Sequence, residues 1–245
     1  ALAQKSGLDA QGLVLDAAKP TTHKTRIQVH SQQMIRFDRE STEPLGAATA
    51  DRVLDAVSLV LDRVDGALLV DYAKGLFSED LSRRCVEMLQ ERALPLAADP
   101  KESLELFRGA HLIKPNLAEA EALTGIRVGD PPELAPVLAA LAKKMPGVDF
   151  VVTHGRFGMV VQEVGRPIRK VHTWPKDVFD VQGAGDTTLA SLWLSRLSGA
   201  TLEEAAIIAN AAAGVVVEKV GTAVVSQEEI RSRLPRAVAA FREGA

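Results

Sequence analysis

The chain has 245 residues and a formal net charge of −3; 47% of its residues are hydrophobic and 25% charged. This is an ordinary globular composition with enough apolar residues for a sizeable core, and it has no basic field to attract nucleic acid or an anionic membrane. A single cysteine, Cys85, excludes an internal disulfide framework and a Cys-based zinc cluster, and no stretch approaches the roughly 20 apolar residues of a membrane span.

The opening segment ALAQKSGLDAQG has no basic stretch followed by an apolar run, so no secretory signal is expected and the reading is cytoplasmic. It also starts without Met, which leads us to expect a chain that begins inside a longer protein. Residues 21–40 (TTHKTRIQVHSQQMIRFDRE) alternate apolar and polar and predict a β-hairpin, which reads as a small β region. From residue 47 the pattern changes. AATADRVLDAVSLVLDRV predicts a helix, GALLVDY a buried strand, and SEDLSRRCVEMLQERA a helix with Leu81, Cys85, Met88 and Leu89 inward. LPLAADP and AHLIKPN read as strands, PPELAPVLAALAKKM as a helix and VDFVVTHG as a strand. MVVQEV and IRKVHTW are two more strands, and the last third is largely helical. Such alternation predicts an α/β fold, a mostly parallel sheet with helices on both faces.

Four strands end in polar or turn-forming residues: DYAKG (71–75), DPK (99–101), KPN (114–116) and THG (153–155). In a parallel sheet such ends share one edge, where open α/β sheets bind ligands.

The stretch DVFDVQGAGDTTLASLWL (177–194) puts small residues and a carboxylate where a helix begins. Gly183 and Gly185 let the backbone approach a ligand, and the helix start offers N–H groups to a phosphate. Asp186 there is either a helix cap or the acceptor of a proton from an attacking hydroxyl. No Gly-Lys-Ser/Thr follows, so this is not a Walker A loop. In KPNLAEAEALTG, Asn116 and Glu119 have capping-box spacing, which is compatible with holding magnesium-bound water or phosphate. THGRFGM is explicable as a hairpin. In the alanine-rich segment 201–226, opened by a Thr201/Glu204 capping box, Asn210 reads as an exposed polar residue. No histidine has a paired His at metal-ligand spacing. Trp193 and Phe157 are assigned to packing.

In this order, DPK, KPNLAEAE, THGRFGM, DVQGAGDTT and ANAAAGVVVEKVGTAVVS resemble the ribokinase/PfkB family of sugar kinases, from about residue 21 to the end. The resemblance implies a ribokinase-like three-layer α/β/α domain spanning 1–245, with 21–40 as a small β lid. It implies ATP and Mg²⁺ as cofactors. Asp186 would be the catalytic base, with Gly183, Ala184 and Gly185 forming the anion hole. Asn116, Leu117, Ala118 and Glu119 would lie near the ATP phosphates and metal, Thr153, Gly155 and Gly158 in the nucleotide-binding turn, and Asn210 beside the adenine. Asp180 matches a position near a monovalent-cation site, so K⁺ is considered, although Gln182 stands where the family commonly has Thr.

Within the family, TRIQVHSQQMIRFD, VDYAKG and the GTAVVS ending are most similar to the heptose 7-phosphate kinases, which implies transfer to the anomeric hydroxyl; the two faces of the alternating 21–40 segment lead us to expect a homodimer contact there. Arg26, Arg36, Lys74 and Lys101 are either solvated surface charges or the cations that a sugar phosphate needs at the far end of the cleft from Asp186. The sugar motif Gly-Gly-x-x-x-N and an early strand bearing Asp are absent from these residues, as is the His-x-Gly-His motif of the bifunctional heptose enzymes. The expectation is a kinase module without its front end. Two alternatives stay open: another sugar kinase acting on fructose, ribose or similar, and a non-catalytic nucleotide-binding or dimerisation module.

Overall fold

A computed structural model describes residues 7, 9–29, 32–129, 133–173 and 181–243. The chain divides into two compact units. The first comprises residues up to 67, 71–95 and 105–109; the second comprises 68–70, 96–104 and 110 onward.

The first unit opens with the hairpin that the alternation predicts, strands β1 (His23–Val29) and β2 (Gln32–Arg39), paired antiparallel. Cross-strand partners Thr25↔Phe37 and Ile27↔Ile35 share one face, and Lys24↔Asp38 and Arg26↔Arg36 share the other. Helix α1 (Ala47–Ser58) is shorter than its apolar pattern, because Ser58 turns back on Asp55 O and a separate 3₁₀ turn, Leu61–Arg63, follows. Helix α2 (Glu79–Glu91) starts at Ser78, whose side chain accepts from Leu81 N at 3.2 Å, with Glu79 and Asp80 in the first turn complementing the helix dipole. Its buried stripe is Leu81, Cys85, Val86 and Leu89; Met88 is only half-buried. Phe77 and Phe107 close this unit edge-to-face, 5.2 Å apart.

The second unit is built on a six-stranded sheet in chain order: β3 (Ala67–Val70, which begins in the first unit), β4 (Leu96–Asp99), β5 (Leu112–Ile113), β6 (Asp149–Thr153), β7 (Met159–Gln162) and β8 (Arg169–Val171). The β4–β5 and β5–β6 pairs are parallel, and β7 and β8 return antiparallel. The helices are α3 (Leu117–Thr124), α4 (Ala135–Lys144), α5 (Ala184–Leu197), α6 (Leu202–Val217) and α7 (Gln227–Glu243).

The pleat of β6 shows why both faces are apolar. Val151 points into a core with Ala97, Leu112, Val161, Val171 and residues of α5, α6 and α7. Phe150 and Val152, equally buried, point to the opposite face, and α3 and α4 pack against this strand with Val137, Leu138 and Leu141 fully buried. Each such side chain contributes about 1.5–3 kcal/mol of hydrophobic stabilisation. Trp193 belongs to the core, as expected. Among the described residues no helix is long and apolar enough to cross a membrane.

Candidate active site

Three strand ends meet because β4, β5 and β6 are parallel neighbours. Lys114 N donates to Ala98 O at 3.0 Å, and Thr153 N donates to Pro115 O at 3.1 Å, with Asn116 and Thr153 forming an isolated parallel bridge. DPK, KPN and THG are therefore stitched together by backbone at one edge of the sheet. Asp99 is the last residue of β4, and its Oδ2 lies 3.1 Å from Lys114 Nζ, with both side chains almost completely buried. Burial pushes the Asp99 carboxyl above its ordinary range, and the charges of Lys114 and Lys101 only partly offset this. Asp99 Oδ1 has no hydrogen-bond partner among the described residues, and Lys101 Nζ stands 3.9 Å away from it.

Lys101 is ion-paired with Glu119 Oε1. Burial works against its charge, but the Glu119 bond and the carboxylates of Asp99, Glu119 and Asp186 outweigh it, so the ammonium is held above its usual pKa. The second Glu119 oxygen, Oε2, accepts from Asn116 N at 2.8 Å, while Asn116 Oδ1 accepts from Glu119 N at 2.9 Å. The capping box read from the sequence is thus formed at α3, and both Glu119 oxygens are engaged.

Helix α5 begins differently from α3 and α6. Its N-cap is Gly183, at φ 76°, with no side-chain cap. Asp186 is consequently not the capping residue; it stands in the first turn, exposed, at the positive end of the helix. Ala184 N makes a long 3.3 Å bond to Val181 O. A Cβ on Gly185 would meet open space, and one on Gly183 would meet Thr222 Cγ2 at 3.7 Å, which sets the GTAVVS segment against this turn. The charge of Asp186 acts on Lys101, so Asp99, Lys101, Lys114, Glu119 and Asp186 form one electrostatic group. Lys101, expected among the cations far from Asp186, lies near it instead, because the turn after β4 brings it onto the start of α3.

The turn after β6 divides its glycines between two jobs. A Cβ on Gly155 would point into open space. At Gly158, φ 86°, a Cβ would sit 2.0 Å from Val171 O, so the approach of β8 demands this glycine whatever the turn binds. His154 stacks on Phe157 at 4.7 Å, and the Arg156 guanidinium lies 4.8 Å over the same ring. Phe157 packs in this local cluster and is exposed, outside the core. Asn210 was expected at the surface but is buried, its amide donating to His172 O at 2.8 Å. The alanine-rich helix α6 thereby anchors the chain leaving β8.

The other three candidate cations belong to the first unit. Arg36 pairs with Asp38 at 3.0 Å, Lys24 bridges Asp38 and Glu40, and Glu40 reaches Lys74 at 2.6 Å. Arg26 lies directly across from Arg36 in the hairpin. Asp180, a candidate metal residue, lies outside the described residues. Sequence reasoning quoted Asp99 and Lys114 within motifs without making either a site residue; polar residues closing adjacent apolar strands were the available signal.

Among the described residues no group of three or more His, Cys, Asp or Glu could alone hold a metal ion. Magnesium at nucleotide sites is held by one or two carboxylates together with substrate phosphates. The Glu119 carboxylate fits that smaller requirement.

The chain matches the family described as pfkB family carbohydrate kinase over residues 1–229. It is 36% identical over 225 residues to the bifunctional protein HldE of Geobacter sulfurreducens, covering 91% of this chain and 46% of that protein. Against HldE of Azorhizobium caulinodans it is 36% identical over 240 residues, covering 98% and 50%. The chain thus spans about half the length of the curated relatives it matches. Among solved structures, a ribokinase-like protein of Agrobacterium tumefaciens, described as a ribokinase by inference, superposes with a TM-score of 0.76 at 19% identity, covering 96% of this chain and 75% of that one. Phosphofructokinase-2 of Escherichia coli, solved with substrates and products, gives 0.72 at 20% identity, covering 89% and 70%.

Proposed function

The chain belongs to the pfkB family of carbohydrate kinases, and on that premise we propose that it phosphorylates D-glycero-β-D-manno-heptose 7-phosphate at the anomeric hydroxyl, giving the 1,7-bisphosphate and ADP. The observation that carries the reading is the electrostatic group at the sheet edge. An exposed carboxylate, Asp186, stands on the first turn of a helix without a side-chain cap and interacts with Lys101, which binds the Glu119 capping box.

In this reading Asp186 takes the proton of the sugar hydroxyl as its oxygen attacks the γ-phosphorus. The new O–P bond forms as the bond to the β-phosphate oxygen breaks, and ADP leaves with that electron pair. The Gly183–Gly185 backbone holds the transferring oxygens at the positive end of α5. Asn116 and Glu119 would hold Mg²⁺, which when bound would neutralise charge on the ATP phosphates. Thr153, Gly155 and the alanine-rich α6 flank the nucleotide, with Asn210 acting through the chain segment that it anchors. Arg26, Arg36 and Lys74 bind the 7-phosphate, displacing Asp38 from Arg36 and Glu40 from Lys74. The hairpin acts as a lid, and its exposed Ile27, Ile35 and Phe37 pack against a second copy in a homodimer.

The test is turnover on a panel of heptose 7-phosphate, fructose and ribose, using the full-length protein. The expected result is preference for the heptose phosphate, with KM for it raised about tenfold or more by substituting Arg26, Arg36 or Lys74 and KM for ATP unchanged. Faster turnover of an unphosphorylated sugar would assign the chain to a different sugar kinase.

A further inference from the structure

We propose that Lys101 is a built-in stand-in for the divalent cation at Glu119, with a second carboxylate, Asp99, poised to receive it when the metal arrives. The proposal rests on the reading of Glu119 as a metal-side residue, and three observations carry it. Both Glu119 oxygens are engaged: Oε2 accepts from Asn116 N and Oε1 is held by Lys101. The first bond belongs to the helix cap and keeps α3 in place. A metal ion at this carboxylate therefore competes with the ammonium rather than with the cap. Second, the ammonium has somewhere to go. Asp99 Oδ1 is buried, has no hydrogen-bond partner among the described residues and lies 3.9 Å from Lys101 Nζ, a gap that a displacement of the ammonium by about 1 Å closes to an ordinary charge-assisted bond. Third, one oxygen of that same Asp99 is already fixed by Lys114 at 3.1 Å, so the receiving carboxylate is held in place.

The arrangement has a physical purpose. Asp99, Glu119 and Asp186 bring three carboxylates to a partly desolvated edge, where such charges are costly unless they are paired. Lys101 supplies a pairing charge. When a divalent ion takes Glu119, Lys101 moves to Asp99 and stays near Asp186. Lys101 is thus a positioning residue that keeps the site assembled before the metal–nucleotide complex enters.

The test measures Mn²⁺ binding to the nucleotide-free protein by electron paramagnetic resonance of the free ion, alongside kcat. Lys101→Met removes the competitor, so Mn²⁺ binds about tenfold more tightly while kcat falls. Loss of a purely structural lysine would weaken both. In a Glu119→Gln background the Lys101→Met gain disappears, or Mn²⁺ binding is lost altogether. A gain that persists there would make the effect general electrostatics and overturn the proposal. Asp99→Asn weakens Mn²⁺ binding only while Lys101 is present; equal weakening in the Lys101→Met background would make Asp99 itself the ligand and overturn the second berth. Lys101→Gln, which keeps a neutral hydrogen bond to Glu119, is the second variant should Lys101→Met fail to fold, and the same tightening is expected. Unchanged or weaker Mn²⁺ affinity in a folded Lys101 variant that still turns over sugar refutes this proposal alone, whereas a wild-type protein that binds neither Mn²⁺ nor ATP refutes the functional reading beneath it.

Discussion

Replacing Gly158 by Ala should damage the fold much more than the same change at Gly155, three residues earlier in the same turn. Both glycines have positive φ, 86° and 45°. The strain of holding an L-residue there is about 1–2 kcal/mol at Gly155, where the added methyl meets open space. At Gly158 the methyl would lie 2.0 Å from Val171 O and 2.9 Å from Thr173 N. These are backbone atoms, so β8 must move away from β7. Strain of about 1–3 kcal/mol and overpacking of about 1–3 kcal/mol then add to about 2–6 kcal/mol. The Asn210–His172 bond lies on the displaced segment and is lost with it. For a chain of this size each kcal/mol lowers Tm by about 2–4 °C. The expected losses are roughly 2–8 °C for Gly155→Ala and roughly 4–24 °C for Gly158→Ala, measured by differential scanning calorimetry without nucleotide. ATP affinity of the folded fraction should respond more to Gly155→Ala, whose backbone faces open space. Equal Tm values for the two variants, or a larger loss at Gly155, would refute the claim that β8 rather than a ligand dictates Gly158.

Asp186→Asn should lower kcat by about 10²–10⁴ while Tm and ATP binding by calorimetry stay close to wild type, since the helix cap is Gly183 and not Asp186. Near-normal turnover would remove Asp186 from the mechanism. Asn210→Ala should cost about 1–3 kcal/mol in urea unfolding, because His172 O loses its donor in a buried setting; a neutral result would mean that this carbonyl finds another donor. Burial pushes the Asp149 carboxyl above its ordinary value, against the bond from Val164 N and the charge of Arg196. A carboxyl whose folded pKa exceeds its unfolded value of 3.8 binds protons more readily in the native state, so its contribution to stability falls as pH rises from there through the folded pKa. The stability of wild type relative to Asp149→Asn should therefore decline over that acidic range in urea titrations, and a rise would contradict the burial argument.

Much of the fold was legible because its signals are local. The two-residue period over 23–39 specified a hairpin, since alternate side chains of a strand face opposite sides. The Asn116/Glu119 and Thr201/Glu204 boxes marked helix starts, since the reciprocal bonds span only three residues. The polar ends of successive apolar strands pointed to the sheet edge, and the small residues before Asp186 to a helix start. Whatever depended on which segments become neighbours was not legible. The sequence could not place Lys101 between Asp99 and Glu119 and near Asp186, because sheet order and the path after β4 decide those distances. Nor could it say that Asn210 is buried, for a helix period gives a face but not the strand exit packed on it. Nor could it say that Val171 O of β8 would lie 2.0 Å from a Cβ at Gly158, which demands glycine there whatever the turn binds. Capping and pleating act over a few residues and are written in the chain; desolvation, ion pairing and steric exclusion act between residues far apart in sequence, and only the packed structure brings these together.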